Sequence, residues 1–152
     1  LECADDINDN RLQTWHRYYQ GLLDINEIEL PAIPAEIVNN AHMFYIKVKD
    51  NAERTALIEH LKLDCIQSVF HYIPLHDAVA GKQYSDFIGD DIYTTVESER
   101  LLRLPLYYGM CRDDVVRTVD SVKSFYQAQF ILNDITVKEQ NSDLSLAAMV
   151  TN

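Results

Sequence analysis

The sequence predicts an α+β fold: a long N-terminal helix, then a small sheet of about three strands covered by helices. Three features carry that expectation. Apolar residues recur at helical spacing through the first segment. Short β-branched and aromatic runs then alternate with helical stretches. Capping residues stand where one pattern changes to the other.

In the first segment Leu1, Ala4, Ile7, Leu12, Trp15, Tyr19 and Leu22 recur at steps of three to five residues, with Asp, Asn, Arg and Gln between them. The pattern runs just past Gly21. No Ser, Thr, Asp or Asn cap precedes it, and a helix that starts in phase is expected of a segment cut from a longer chain. Residues 24–40 hold Pro31 and Pro34 and read as an extended linker. Met43 to Lys49 is the first strand, aromatic and β-branched. Asp50 and Glu53 form the D-x-x-E pattern of a capping box, opening a helix with Leu57, Ile58 and Leu61 on its buried stripe. Cys65 to Ile73 is the second strand, ended by Pro74.

Residues 77–93 are polar, contain Gly81 and Gly89, and read as an unusually long loop. Thr94 and Glu97 suggest a second capping box, for a short helix through Leu102. Pro105 restricts Leu104 to Tyr108 to an edge strand, because proline has no N–H for a ladder. A last helix is expected from Asp113 to Tyr126, with Val115, Val116, Val119, Val122 and Tyr126 on one face. Asp113 and Asp114 suit the positive end of its dipole. From residue 128 the chain is a polar tail, expected to be mobile over 133–152, with a helical turn near Leu144 to Met149.

The net charge of −11 argues against nucleic-acid binding, which needs a basic face. No apolar run approaches the roughly 20 residues of a membrane-spanning helix. The N-terminus is acidic, unlike a secretory signal. Cys3, Cys65 and Cys111 are odd in number and far apart, and read as reduced thiols of a cytoplasmic protein. The four glycines make no phosphate-cradling loop, and neither a nucleophile elbow nor a zinc-binding HExxH helix is present. No pair of acidic residues stands out as an acid–base couple.

The densest chemical cluster is Phe70-His71-Tyr72-Ile73-Pro74-Leu75-His76, where a strand passes into the long loop. Two imidazoles and a phenol at a strand end can bind an anionic or sugar-like ligand, or can satisfy backbone groups nearby. Two histidines five apart with no third ligand make a weak metal signal, so no metal site is assigned. Asn39-Asn40-Ala41-His42 before the first strand can contact a ligand, or its amides can serve the turn. His16 and His60 fall on helix patterns and read as solvated.

Three segments in order, Asn39 to Ile46, Val69 to His76 and Thr94 to Leu106, resemble the C-terminal region of the DegT/StrS-type sugar aminotransferases. The resemblance covers the chain to about Phe125 and leaves the tail after Gln127 outside it. It implies the small C-terminal domain of a fold-type-I pyridoxal-phosphate enzyme. Residues 1–23 become the interdomain helix, 24–127 the small α+β domain and 128–152 the tail. It further implies a reaction: an amino group passes from glutamate to C4 of a dTDP-4-keto-6-deoxyhexose. The product is an amino sugar for cell-surface polysaccharide such as lipopolysaccharide or enterobacterial common antigen. The cofactor serves as electron sink, and the lysine that holds it lies in a preceding domain. Lys47, Lys49, Lys62, Lys82 and Lys123 lack that lysine's sequence context. Catalytic and cofactor-binding residues are therefore assigned to no position here, and no pyridoxal phosphate is expected on this chain alone. What the resemblance carries over is a substrate-side wall: His71 and His76, then Tyr72, with Asn40 and His42 after them. The loop over 77–93 would cover the substrate.

Two other readings use the same residues. One is a stand-alone, non-catalytic binding or dimerisation domain, since fold does not fix function. The other is a small metal-binding regulator using His71 and His76. A separated small domain should also expose Trp15, Tyr18 and Tyr19, and so associate through its first helix as a homodimer.

Overall fold

The computed structural model describes the backbone of residues 2–150 and the side chains of residues 2–131. In chain order the elements are α1 (Ala4–Leu22), β1 (Phe44–Lys47), α2 (Asn51–Leu63), β2 (Val69–Phe70), α3 (Val79–Tyr84), α4 (Thr94–Arg100), β3 (Leu101–Leu104) and α5 (Arg112–Val150). The three strands form one antiparallel sheet in the order β1-β3-β2. The α+β architecture, with its helices and small sheet, is the one expected.

Alternation along the strands separates two faces. Phe44 and Ile46 of β1 pair with Leu104 and Leu102 of β3, and all four are buried. They meet Trp15, Tyr18 and Leu22 from α1, Leu57 and Leu61 from α2, and Val115, Val119, Val122, Phe125 and Tyr126 from α5. The other face carries Tyr45, Arg103 and Val69 in one row.

Trp15 and Tyr18 are buried and Tyr19 is half-buried, so the exposed aromatic patch expected on the first helix is absent. The reason is local. Phe44 fills the space beside them, with ring centroids 5.3 Å from Trp15 and 5.1 Å from Tyr18. The first helix spends its apolar stripe on this domain's own core.

The helix α2 starts as its sequence indicates. Asp50 accepts from the Glu53 N–H at 2.9 Å, and the Glu53 carboxylate reaches back to the Lys49 N–H at 3.4 Å. Its end moves the expected second strand. Cys65 adopts φ 58°, its N–H meets the Lys62 carbonyl at 3.0 Å, and the Ile66 N–H meets that of Leu61 at 2.9 Å. That pair of bonds is a Schellman stop with cysteine where glycine is usual. The strand expected from Cys65 therefore shrinks to Val69–Phe70.

Three further expectations are corrected. The Thr94 cap does not form: Tyr93 precedes α4 without a side-chain bond, and the Asp91 carboxylate accepts from the Thr95 N–H at 3.2 Å instead. The segment beside Pro105 is no edge strand. The helix ends at Arg100, and Leu101–Leu104 lies at the sheet centre. Pro105 follows the last paired residue, so its missing N–H is never needed. The long loop over 77–93 contains the short helix α3.

The last helix continues past Tyr126, as α5 extends to Val150. The tail expected over 128–152 falls, from residue 132 onward, outside the residues whose side chains are described. His16 is exposed as expected. His60 is half-buried, its Nε2 lying 3.1 Å from the Ser121 carbonyl and 3.0 Å from the Ser124 hydroxyl. Cys3, Cys65 and Cys111 are exposed free thiols.

Candidate functional site

The strand β2 delivers the chain into its polar cluster. The Arg54 guanidinium of α2 lies over the Phe70 ring, 5.3 Å from its centroid, and donates to the Ser98 carbonyl of α4 at 2.5 Å. Ser98 in turn donates its hydroxyl to the Tyr72 carbonyl at 2.7 Å. His71 and Tyr72 are thus held on both sides. Their rings meet edge to face at 4.3 Å. Tyr72 is exposed, whereas His71 Nδ1 is shielded from solvent and has no hydrogen-bond partner. A buried ring nitrogen without a partner is uncommon in folded proteins and leaves capacity for a ligand.

Beyond Tyr72 the chain turns tightly, with the Asp77 and Ala78 N–H groups both on the Pro74 carbonyl. Gly81 of α3 sits against this turn: a Cβ there would fall 1.6 Å from the Leu75 carbonyl oxygen. Only glycine permits that approach. His76 then faces inward. Its ring centroid lies 4.4 Å from that of Phe87, and its Nε2 is 2.9 Å from Asp91 Oδ2 and 3.2 Å from Thr95 Oγ1. The Thr95 hydroxyl contacts Asp91 Oδ2 and, at 3.3 Å, Asp77 Oδ2. Lys82 Nζ is 3.0 Å from Asp77 Oδ1. These bonds hold both carboxyls below the usual range, Asp91 chiefly through the Thr95 hydroxyl and Asp77 chiefly through Lys82. The result is a loop whose two ends are tied together, with Tyr72, Ile73, Leu75, Tyr84 and Ile88 on its exterior.

Asn40 and His42 belong elsewhere. Phe44 pairs with Leu104 and Lys47 with Leu101, while Phe70 pairs with Leu102 as β2 runs toward the Leu101 end. His42 therefore enters the sheet at the end opposite to the one where His71 leaves it. The amides here serve the turn. Asn39 Oδ1 accepts from the Ala41 N–H at 2.9 Å, and Asn40 Oδ1 from the His42 N–H at 3.3 Å, with His42 Nδ1 3.0 Å away. Ala41 has φ 48°, and Arg11 Nε donates to its carbonyl at 3.1 Å. The five candidates thus fall into two groups, His71, Tyr72 and His76 in one, Asn40 and His42 in the other. Asp77, Asp91 and Thr95 join the first group without having been singled out by spacing. The only signal available was the acidic residue just ahead of a helix.

Among the described residues no three His, Cys, Asp or Glu are placed to hold a metal ion, and no helix is long and apolar enough to cross a membrane. A lysine-bound cofactor finds no fit among the described lysines. Lys47 pairs with Glu97 at 2.5 Å, Lys62 with Glu59 at 3.6 Å, Lys82 with Asp77 and Lys123 with Asp24 at 2.9 Å. Lys49 is exposed beyond the end of β1, and Lys138 lies outside the described side chains. The cavity of about 420 Å³ beside Lys123 adds two carboxylates, Asp24 and Glu27, which suit a phosphorylated cofactor poorly.

Comparison with known proteins identifies the family. Residues 1–123 match the DegT/DnrJ/EryC1/StrS aminotransferase family, and the chain belongs to it. A relative from Aneurinibacillus thermoaerophilus, dTDP-3-amino-3,6-dideoxy-alpha-D-galactopyranose transaminase, is 31% identical over 129 residues, covering 82% of this chain and 33% of the relative. The aminotransferase TlmJ from Streptoalloteichus hindustanus superposes with a TM-score of 0.75 at 22% identity, covering 85% of this chain and 34% of that one. Spr1654 from Streptococcus pneumoniae, solved in its PLP form, gives 0.69 at 22% identity, covering 84% and 33%. At those identities the superpositions speak for the fold. The chain spans about a third of the length of the relatives it matches.

Proposed function

We propose that this chain is the C-terminal, substrate-facing part of a sugar-nucleotide aminotransferase. The reading takes glutamate as amino donor and C4 of a dTDP-4-keto-6-deoxyhexose as acceptor. The activity so described is that of a dTDP-4-amino-4,6-dideoxygalactose transaminase. The observation that carries it is the family match over residues 1–123, joined to the unpartnered ring nitrogen of His71 at the strand end. Pyridoxal phosphate, held by the rest of the longer protein, would supply the electron sink. This chain would contribute binding and orientation. His71 and Tyr72 face the sugar nucleotide, and His76 holds the loop over 77–93 beside it. The sugar in the name of the relative from Aneurinibacillus bears its amino group at C3, so the choice of C4 rests on the sequence resemblance. Assembly as a cytoplasmic homodimer is part of the same proposal.

The test uses the complete protein. His71→Ala should lower kcat/KM for the 4-keto sugar nucleotide by about a hundredfold and leave the half-reaction with glutamate unchanged. Normal turnover in both His71→Ala and His76→Ala would remove these residues from the site. Faster turnover of a 3-keto sugar nucleotide than of its 4-keto isomer would move the reaction to C3.

A further inference from the structure

We propose that Arg103, with His42 and Gln67 beside it, forms an oxyanion-binding site on the outer face of the sheet, suited to a carboxylate or a phosphate. Arg103 sits in the middle of the central strand, in register with Tyr45 and Val69. Its neighbours Leu102 and Leu104 are buried in the core, so the alternation of the strand turns Arg103 the other way. Its Nε is buried and has no hydrogen-bond partner, and among the described residues it makes no ion pair.

The other arginines differ. Arg11, Arg54, Arg100 and Arg117 each bond to an oxygen of the protein. Arg17 and Arg112 are exposed, where water meets their needs. Arg54 Nε is also shielded and unpartnered, but its two terminal nitrogens donate to Ser98 and Asn51; Arg103 is the one half-buried arginine whose guanidinium makes no hydrogen bond among the described residues. Buried donors left without acceptors are uncommon in folded proteins, and an unpaired buried charge is destabilising. An acceptor from outside the chain removes that cost.

The surroundings fit such an acceptor. A cavity of about 240 Å³ is lined by His42, Gln67 and Arg103, with Met43, Val69 and Pro105 as its apolar wall. The chain has 24 acidic residues, yet none lines this cavity. His42 Nδ1 is engaged by Asn40 Oδ1 at 3.0 Å, which leaves Nε2 for a ligand. The Gln67 amide adds a donor. A guanidinium binds carboxylate and phosphate oxygens in pairs, with a geometry other cations do not match. The net charge of −11 repels anions from the surface as a whole. Saturable binding here would therefore report local donors.

The proposed aminotransferase reading offers two sources, a carboxylate of the amino donor and a phosphate of the sugar nucleotide; only the choice between them rests on that reading. The test is a titration of the whole 152-residue chain, labelled with ¹⁵N-arginine, by sodium glutamate and separately by inorganic phosphate. Sodium chloride at matched ionic strength is the control. A saturable shift of the Arg103 Nε–H resonance is expected with at least one anion and not with chloride. Arg103→Met should abolish the saturable heat seen by calorimetry. Gln67→Ala should weaken binding about tenfold, the loss of one hydrogen bond to a charged group. Glutamate alone shifting the resonance assigns a carboxylate site, phosphate alone a phosphate site, and both a general oxyanion site. No saturable shift with either anion, or the same heat from Arg103→Met, overturns the proposal. The titration needs no turnover. A negative result thus leaves the aminotransferase reading standing, and failure of the complete enzyme on keto sugars leaves this site standing.

Discussion

The hydroxyl of Tyr18 donates a hydrogen bond of 2.9 Å to the carbonyl oxygen of Pro105, across 87 residues of chain. It pins the C-terminal part of the first helix to the point where the central strand ends. Asn10 adds a second tie, accepting from the Gly109 N–H at 2.8 Å. Together they explain why the first helix packs as part of the core.

Tyr18→Phe keeps the ring and removes that donor, leaving the Pro105 carbonyl without its partner. A loss of about 1 kcal/mol is expected. Burial pushes the Tyr18 hydroxyl up to about 12. Because the folded value exceeds that of the unfolded chain, near 10, the folded state holds the proton more tightly. The contribution is fully present below about pH 10 and is lost as pH rises through about 12. Tyr126 is also pushed upward, first by burial and then by Glu53, whose carboxylate accepts from its hydroxyl at 2.8 Å. Urea unfolding at about pH 8 and about pH 11 should therefore show a smaller alkaline loss in Tyr18→Phe than in the parent, with the Tyr126 part retained. Equal losses would mean that Tyr18 is not titrating against burial.

The first and last helices approach closely at Gly21. A Cβ there would lie 3.0 Å from both methyl carbons of Val119, which is itself buried. Two effects oppose each other in Gly21→Ala. Alanine favours a helix over glycine by about 1 kcal/mol. Overpacking a closed contact costs about 1 to 3 kcal/mol. Val119 is buried within the core cluster, so a net loss is expected. Adding Val119→Ala should recover part of it. The check is a double-mutant cycle by chemical denaturation, in which the double variant loses less than the sum of the singles. Strict additivity would show that the two residues do not press on each other.

Much of this was readable from residue patterns, and the errors have specific causes. The first helix, the first strand and the Asp50 cap depend on local chemistry, and all appear where that chemistry puts them. The second strand was drawn too long because cysteine is a poor signal for a left-handed stop; glycine at 65 would have announced it. The central strand was misplaced because Pro105 was read as a member of the strand, whereas it stands just outside. Exposure of Trp15 and Tyr18 could not be judged without knowing that Phe44 lies across from them. At the candidate site, the His71 to His76 cluster was visible as a dense run. The Asp91 and Thr95 partners of His76 were not, because a contact closed across a 15-residue loop leaves no periodic trace. Arg103 was missed for a related reason: what sets it apart is the lack of a partner, a property of the folded surroundings alone.

The contact between His76 and Asp91 closes the loop over 77–93, and the loop should loosen before the domain does when it is cut. Asp91→Ala removes the acceptor from His76, from the Thr95 hydroxyl and from the Thr95 N–H. Few apolar side chains of this loop are buried, so its opening is a local event with little bearing on global unfolding. Hydrogen exchange of the 77–93 peptides should accelerate in Asp91→Ala, while the urea midpoint of the domain stays near that of the parent. Acid should act in the same direction. The Asp91 carboxyl is held below its ordinary value, first by the Thr95 hydroxyl. Its contribution is therefore present above the unfolded value, about 3.9, and is lost as pH falls through the lower folded one. Asp91→Asn supplies the control. It retains an oxygen for the Thr95 N–H and cannot titrate, so its loop exchange, corrected for intrinsic rates, should change less with acid than that of the parent. Unchanged exchange of the 77–93 peptides in Asp91→Ala would show that the loop is held by its apolar contacts, with the His76 cluster playing no part.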